Sequence, residues 1–174
     1  KEAFDKINDG THQGVITIKI RGNTIETATA TLNNSENGSS LYSSVLLYPT
    51  APNLKIEGSV AGQLINLNGA DNVIIDGRVN QLGSTSLSFS NTNSSGSVIQ
   101  FINDATSNTI RYCNVQGTTS SAASGLIVFG SGDAVGNDNN TIEYCDIRDG
   151  ATTPTNAIYS AGSSVSADNS TNVV

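Results

Sequence analysis

Asn108-Thr109-Ile110-Arg111-Tyr112-Cys113-Asn114-Val115 returns further along the chain as Asn140-Thr141-Ile142-Glu143-Tyr144-Cys145-Asp146-Ile147. Before each copy stands a short apolar run, Val98-Ile99-Gln100-Phe101-Ile102 or Leu126-Ile127-Val128-Phe129, followed by a polar turn. Short β-rich pieces repeated at such a period define a solenoid, in which each turn buries its apolar face only by stacking on the next. Stacking at the step from Asn108 to Asn140 places Ile110 over Ile142, Val115 over Ile147 and Cys113 over Cys145. It also places Asn140 over Asn172, with Asn72 at the same corner to within one residue. Stacked asparagines can bond their amides up a ladder and satisfy the backbone of tight corners.

The pattern extends in both directions. Gly14-Val15-Ile16-Thr17-Ile18-Lys19-Ile20 alternates and reads as the first strand, and Glu26 to Leu32 alternates again. Opening strands are read at Val15, Val45, Leu64, Val98, Leu126 and Ile158, with the shortest step from Val45 to Leu64 and the longest from Leu64 to Val98. Unequal loops on a constant coil account for such scatter. Residues 1–10 place Ala3, Phe4 and Ile7 at helical spacing before Gly10, which predicts a short helix capping the first rung. The expectation is one all-β domain over residues 1–174, a solenoid with an N-terminal capping helix at 1–10 and stacked rungs over 14–174. The last rung, from Ala157 to Val174, stops part-way, so the stack is expected to continue beyond 174 or to be covered by another surface, including end-to-end self-association.

Composition narrows the partners. Only 13% of residues are charged, the net charge is −7, and the eight Lys and Arg are scattered singly. A nucleic-acid surface needs a clustered basic patch, so no nucleic-acid partner is expected. No apolar run approaches the ~20 residues of a membrane helix, and no membrane insertion is expected.

Units such as Leu64-Ile65-Asn66-Leu67-Asn68-Gly69-Ala70-Asp71-Asn72-Val73-Ile74-Ile75-Asp76-Gly77 resemble the right-handed parallel β-helices of the pectin-lyase-like group, which implies that the solenoid is a right-handed parallel β-helix. The opening Ala3-Phe4-Asp5-Lys6-Ile7-Asn8-Asp9-Gly10-Thr11-His12, then a strand and Asn23-Thr24-Ile25-Glu26-Thr27, resembles the start of large surface proteins exported by gliding and polymer-degrading bacteria. The resemblance implies secretion, often by the type IX pathway, or a cell-surface location. It implies the fold more sharply than an activity, because β-helices host lyases, hydrolases, adhesins and passive stalks.

Chemistry-bearing residues are few. Arg111 stacks on Glu143 and Asn114 on Asp146, with Arg148 and Asp149 close behind, so acids and bases meet on an outer face. Arg111, Glu143, Asp146 and Arg148 are the catalytic candidates if the chain is a polysaccharide lyase, which needs a base beside a neutralised uronate. The plainer expectation for them is an exposed cross-strand ion pair. A hydrolase would need two carboxylates across a cleft, and Asp104, Asp133 and Asp138 lie in loops. The stretch Gly130 to Asn139 puts Asp133 and Asp138 on a Gly-rich backbone, which makes them calcium candidates and calcium the one cofactor considered. His12 is the only histidine, which leaves no two-His zinc site and no second histidine for a triad. Cys113 and Cys145 are expected to be a reduced core pair.

The functional expectation is a non-catalytic secreted or cell-surface segment, an adhesin or structural stalk. It presents the loops Asn33–Ser40, Gly83–Gly96 and Gly130–Asn139 to glycans or surface proteins. A β-helix polysaccharide lyase or hydrolase and a self-assembling filament subunit are the alternatives.

Overall fold

The computed structural model describes residues 1–174 as a parallel β-solenoid of about five turns, each contributing one strand to each of three five-stranded sheets. After helix α1 (Glu2–Asn8), the first turn is β1 (Gly14–Ile20), β2 (Thr24–Glu26) and β3 (Ala30–Asn33). The second is β4 (Tyr42–Pro49), β5 (Leu54–Gly58) and β6 (Ile65–Asn68), and the third is β7 (Val73–Asp76), β8 (Leu87–Asn91) and β9 (Ile99–Ile102). The fourth is β10 (Thr109–Arg111), β11 (Cys113–Gly117) and β12 (Ile127–Phe129), and the fifth is β13 (Thr141–Glu143), β14 (Asp146–Asp149) and β15 (Ile158–Ser160). The first sheet runs β1-β4-β7-β10-β13, the second β2-β5-β8-β11-β14 and the third β3-β6-β9-β12-β15.

Alternation within each strand sends every second side chain inward, and parallel register sets like over like. The first sheet stacks Ile18, Leu47, Ile75, Ile110 and Ile142. The second stacks Ile56, Phe89, Val115 and Ile147, and the third Leu32, Leu67, Phe101 and Phe129. The Phe101 and Phe129 rings stack with centroids 4.8 Å apart and planes nearly parallel. Full burial of each such side chain contributes about 1.5–3 kcal/mol, so the columns carry the stability.

The rung boundaries differ from expectation. Val15 and Val45 belong to the first sheet, but Leu64, Val98, Leu126 and Ile158 precede or lie in strands of the third. The short step from Val45 to Leu64 is therefore only part of a turn. Within the first sheet the true steps run from Val45 to Val73, from Ile75 to Ile110 and from Ile110 to Ile142, and they are far more even. Short apolar runs have the same pattern in all three sheets, so periodicity alone does not label them. For the same reason the alternating stretch from Glu26 to Leu32 is split, with a corner between β2 and β3.

Asparagines tie the corners together. The Asn140 side-chain oxygen accepts bonds from the Asn108 amide and side chain, each 3.0 Å, while the Asn172 oxygen takes the Asn140 amide at 2.8 Å. The Asn108 oxygen accepts the Val73 amide at 2.9 Å. The column therefore starts at Val73, and Asn72 stands one residue earlier. Asn72, Ser107, Asn139 and Thr171 form their own column of left-handed residues, with φ between +54° and +58°, and these turn the chain into the first sheet. A further ladder joins Asn33, Asn68 and Asn103 through bonds of 2.9 and 2.6 Å.

Helix α1 continues that last ladder. Its Asn8 side chain accepts the Asn33 amide and donates to the Thr31 carbonyl, while Phe4 and Ile7 are buried. The cap thus sits on the third sheet. Ile16, Ile18 and Ile20 of β1 stay only half-buried, and a recess between α1 and β1 is lined by Ala3, Ile7, Ile16 and Ile18.

Candidate functional site

The densest polar cluster lies where the first sheet turns into the second. In β7, Ile75 points inward, so Asp76 points out, yet its side chain is fully buried. The insertion after β7 covers it. This segment contains a 3-10 turn at Val79–Gln81 and an antiparallel bridge between Arg78 and Thr85. It starts at Gly77, where a Cβ would fall 1.8 Å from the Tyr112 carbonyl oxygen, so only glycine fits.

Asp76 is met by two guanidiniums. Arg78 donates Nε to Oδ1 at 2.9 Å and Nη2 to Oδ2 at 2.7 Å, and its amide donates to Oδ1 at 3.1 Å. Arg111, the register partner of Asp76 on the next rung, donates Nε to Oδ2 at 2.9 Å. Burial pushes the Asp76 carboxyl up, but the Arg78 hydrogen bonds and the charges of Arg111 and Arg78 outweigh it and hold the group below the usual carboxylate range. Bonding to Asp76 in turn raises the Arg78 guanidinium above its ordinary value.

Beside the ion pairs runs an aromatic stack. Cζ of Arg78 lies 4.2 Å above the Tyr112 ring centroid, and the Tyr112 and Tyr144 rings lie 4.7 Å apart at 15°. Both tyrosines have left-handed backbones, φ +51° and +52°, because one such residue turns each of these rungs from the first sheet into the second. Bulky residues rarely adopt this conformation. Tyr144 is 69% exposed.

The catalytic candidates are only partly gathered. Arg111 and Glu143 are in register, as expected, but the ion pair of Arg111 goes up to Asp76 and not down to Glu143. A buried carboxylate already flanked by Arg78 is the stronger attractor. Asn114 and Asp146 are also in register, and Arg148 pairs with Asp146 at 3.3 Å in an exposed position on the second sheet.

The loop from Gly130 to Asn139 is organised by a carboxylate. The amides of Asp133, Ala134, Val135 and Gly136 all donate to Asp104, at 2.8, 2.8, 3.3 and 2.9 Å. Burial raises the Asp104 carboxyl, and the amides of Gly136, Ala134, Asp133 and Val135 more than offset this and lower it. A calcium loop turns carbonyl oxygens inward, whereas this one turns N–H groups inward. Gly136, φ +96°, has no room for a Cβ, which would meet the Asp168 carbonyl oxygen at 1.7 Å. Asp138 accepts the Ser170 amide at 2.6 Å, Asp133 is exposed, and no three acidic, His or Cys side chains converge as a metal centre would require.

Cys113 and Cys145 are unlinked and stacked in the inner column below Leu54 and Leu87. Burial pushes the Cys113 thiol well up, while the neighbouring Cys113 lowers that of the half-buried Cys145; the thiols donate to backbone carbonyls, Cys113 to Arg111 at 3.2 Å and Cys145 to Glu143 at 3.4 Å. His12 is exposed.

Sequence reasoning missed Asp76, Arg78 and the anchoring role of Asp104. The signal for the first pair was the step from Asp76 to Arg111, which the insertion between β7 and β8 hides. No protein-family model matches the chain, and neither a curated protein nor a solved structure does; the class its geometry defines is the parallel β-solenoid.

Proposed function

We propose that this chain is a non-catalytic extracellular or cell-surface β-helix segment, an adhesin or structural stalk whose loops meet glycans or proteins. The observation that carries this reading is the use made of Arg111. It is the best-placed base for a lyase, but its Nε proton is committed to a fully buried carboxylate. A guanidinium held in that way is placed as a hydrogen-bond donor and ion-pair partner. Columns of side chains and asparagine ladders along the stack favour stiffness, and the recess beside α1 faces none of the proposed acid–base groups. Multiple weak contacts along a stiff rod add through avidity.

The polysaccharide lyase is the competing reading, since Arg111, Glu143 and the exposed tyrosine share one corner. Incubating the protein with pectate and alginate, with calcium added, while following the absorbance of unsaturated products separates the two. The expected result is no product. Product that disappears in Arg111→Ala overturns the non-catalytic reading.

A further inference from the structure

We propose that the corner formed by Arg111, Glu143 and Tyr144, braced by Asp76, Arg78 and Tyr112, is a binding site for an acidic sugar unit, one bearing a carboxylate or sulfate ester. The proposal rests on the adhesive reading and names the ligand class that one face would take.

The argument starts from donors without acceptors. Arg111 spends Nε on Asp76, and neither of its Nη groups bonds to any protein atom. Its side chain is 28% exposed, so a guanidinium already fixed in orientation is within reach of solvent. A planar fork held in this way is suited to a carboxylate or sulfate, because little side-chain entropy remains to be lost. Arg78 is fixed by the same carboxylate and lies over Tyr112. The two guanidiniums outnumber the carboxylate they share.

The second observation is the aromatic stack. Tyr112 and Tyr144 form a supported platform whose lower ring is mostly solvent-exposed. Each holds a backbone conformation that asparagine or glycine would adopt more readily. Strain of this kind concentrates where a side chain must be aimed. A sugar ring presents one face of C–H groups that packs on an aromatic ring, and its hydroxyls need acceptors at the ring's edge. Glu143, immediately before Tyr144 and in register with Arg111, is that acceptor, and it forms no ion pair of its own. A simple anion would meet Glu143 as a repulsion. An acidic sugar can use the guanidinium for its charge, the tyrosine for its ring and Glu143 for a hydroxyl. Single-stranded nucleic acid could use the first two, but a thymidylate unit carries its charge on the linking phosphate and offers Glu143 no ring hydroxyl beside the stacked face.

The test uses the protein at low ionic strength with alginate, dextran sulfate, neutral dextran and an oligothymidylate, read by affinity electrophoresis. At least one acidic polysaccharide should bind about tenfold tighter than neutral dextran. Arg111→Gln and Tyr144→Ala should each remove most of that preference, while Tyr144→Phe retains it and Arg148→Gln, on the exposed pair of the second sheet, leaves it unchanged. Tyr144 is exposed, so Tyr144→Ala remains informative if Arg111→Gln loosens the fold. Binding to alginate alone assigns a carboxylate ligand, and binding to dextran sulfate alone assigns a sulfate. Equal retention of neutral and acidic polymers, preference for the oligonucleotide, or binding indifferent to Tyr144→Ala overturns the proposal. If loops still hold neutral glycans in that event, the adhesive reading survives; cleavage of alginate would overturn the adhesive reading on which the proposal rests.

Discussion

At the scale of single residues, Asp76 contrasts with Arg148. Asp76 is fully buried between two guanidiniums, so Asp76→Asn leaves charges facing a neutral amide in a covered site and should cost about 3 kcal/mol. Arg148 and Asp146 are each 53% exposed, and Arg148→Gln should stay within about 0.5 kcal/mol. Urea midpoints at unchanged slope measure both. The carboxyls of Asp76 and Asp104 are held below their ordinary range in the fold. Their contribution is therefore fully present above the unfolded value near pH 3.9 and is lost as pH falls through the folded values. Stability measured from pH 6 downward should fall on the acid side, and Asp76→Asn should shallow that fall. An unchanged acid limb would show that Asp76 does not titrate between the states. For the thiols, alkylation after unfolding without reduction should label both cysteines, and in the native state Cys145 should react before the buried Cys113.

At the scale of elements, the Gly130–Asn139 loop and helix α1 are the informative pieces. Four amides converge on Asp104, so Asp104→Ala should release the loop to limited proteolysis between residues 131 and 136 while the sheets remain folded. Calcium at Asp133 and Asp138 predicts a chelator-sensitive melting temperature, and inward-facing amides predict one that ignores chelator. Helix α1 acts as a half-cap. Asn8, Phe4 and Ile7 secure it to the third sheet, and β1 keeps an unpaired edge. Phe4→Ala should loosen the first turn and speed exchange of the β3 amides more than those of β12.

At the scale of the molecule, the stack is a one-dimensional structure in which each rung is stabilised by its neighbours. Amides of β7, β8 and β9, with rungs on both sides, should exchange most slowly with solvent, and those of β1, β14 and β15 fastest. Hydrogen exchange resolved by rung checks this. Ile110→Asp, inside the first inner column with Ile75 and Ile142 on either side, should abolish folding, because it places an unpaired carboxylate in a fully buried site. Cooperative melting near the parent value would mean that the inward face is misassigned.

The two copies of Asn-Thr-Ile-x-Tyr-Cys, with the apolar run before each, were enough to determine a parallel stack and the inward positions of Ile110, Ile142, Val115 and Ile147. The spacing of Phe4 and Ile7 added its capping helix. Like residues at a fixed step can bury themselves in few other ways. The repeat also placed Arg111 over Glu143 and Cys113 over Cys145, because parallel register carries sequence spacing directly into space. What it left open is whatever depends on an insertion or a corner. The sheet to which each apolar run belongs, the one-residue offset that puts Val73 above Asn108, and the burial of Asp76 under the segment after β7 all follow from loops of unequal length. Local pattern contains no information about where such a loop folds back. The pairing of Arg111 with Asp76 was settled by tertiary structure for the same reason: a carboxylate's demand for partners depends on what covers it, and here the cover comes from residues between two strands.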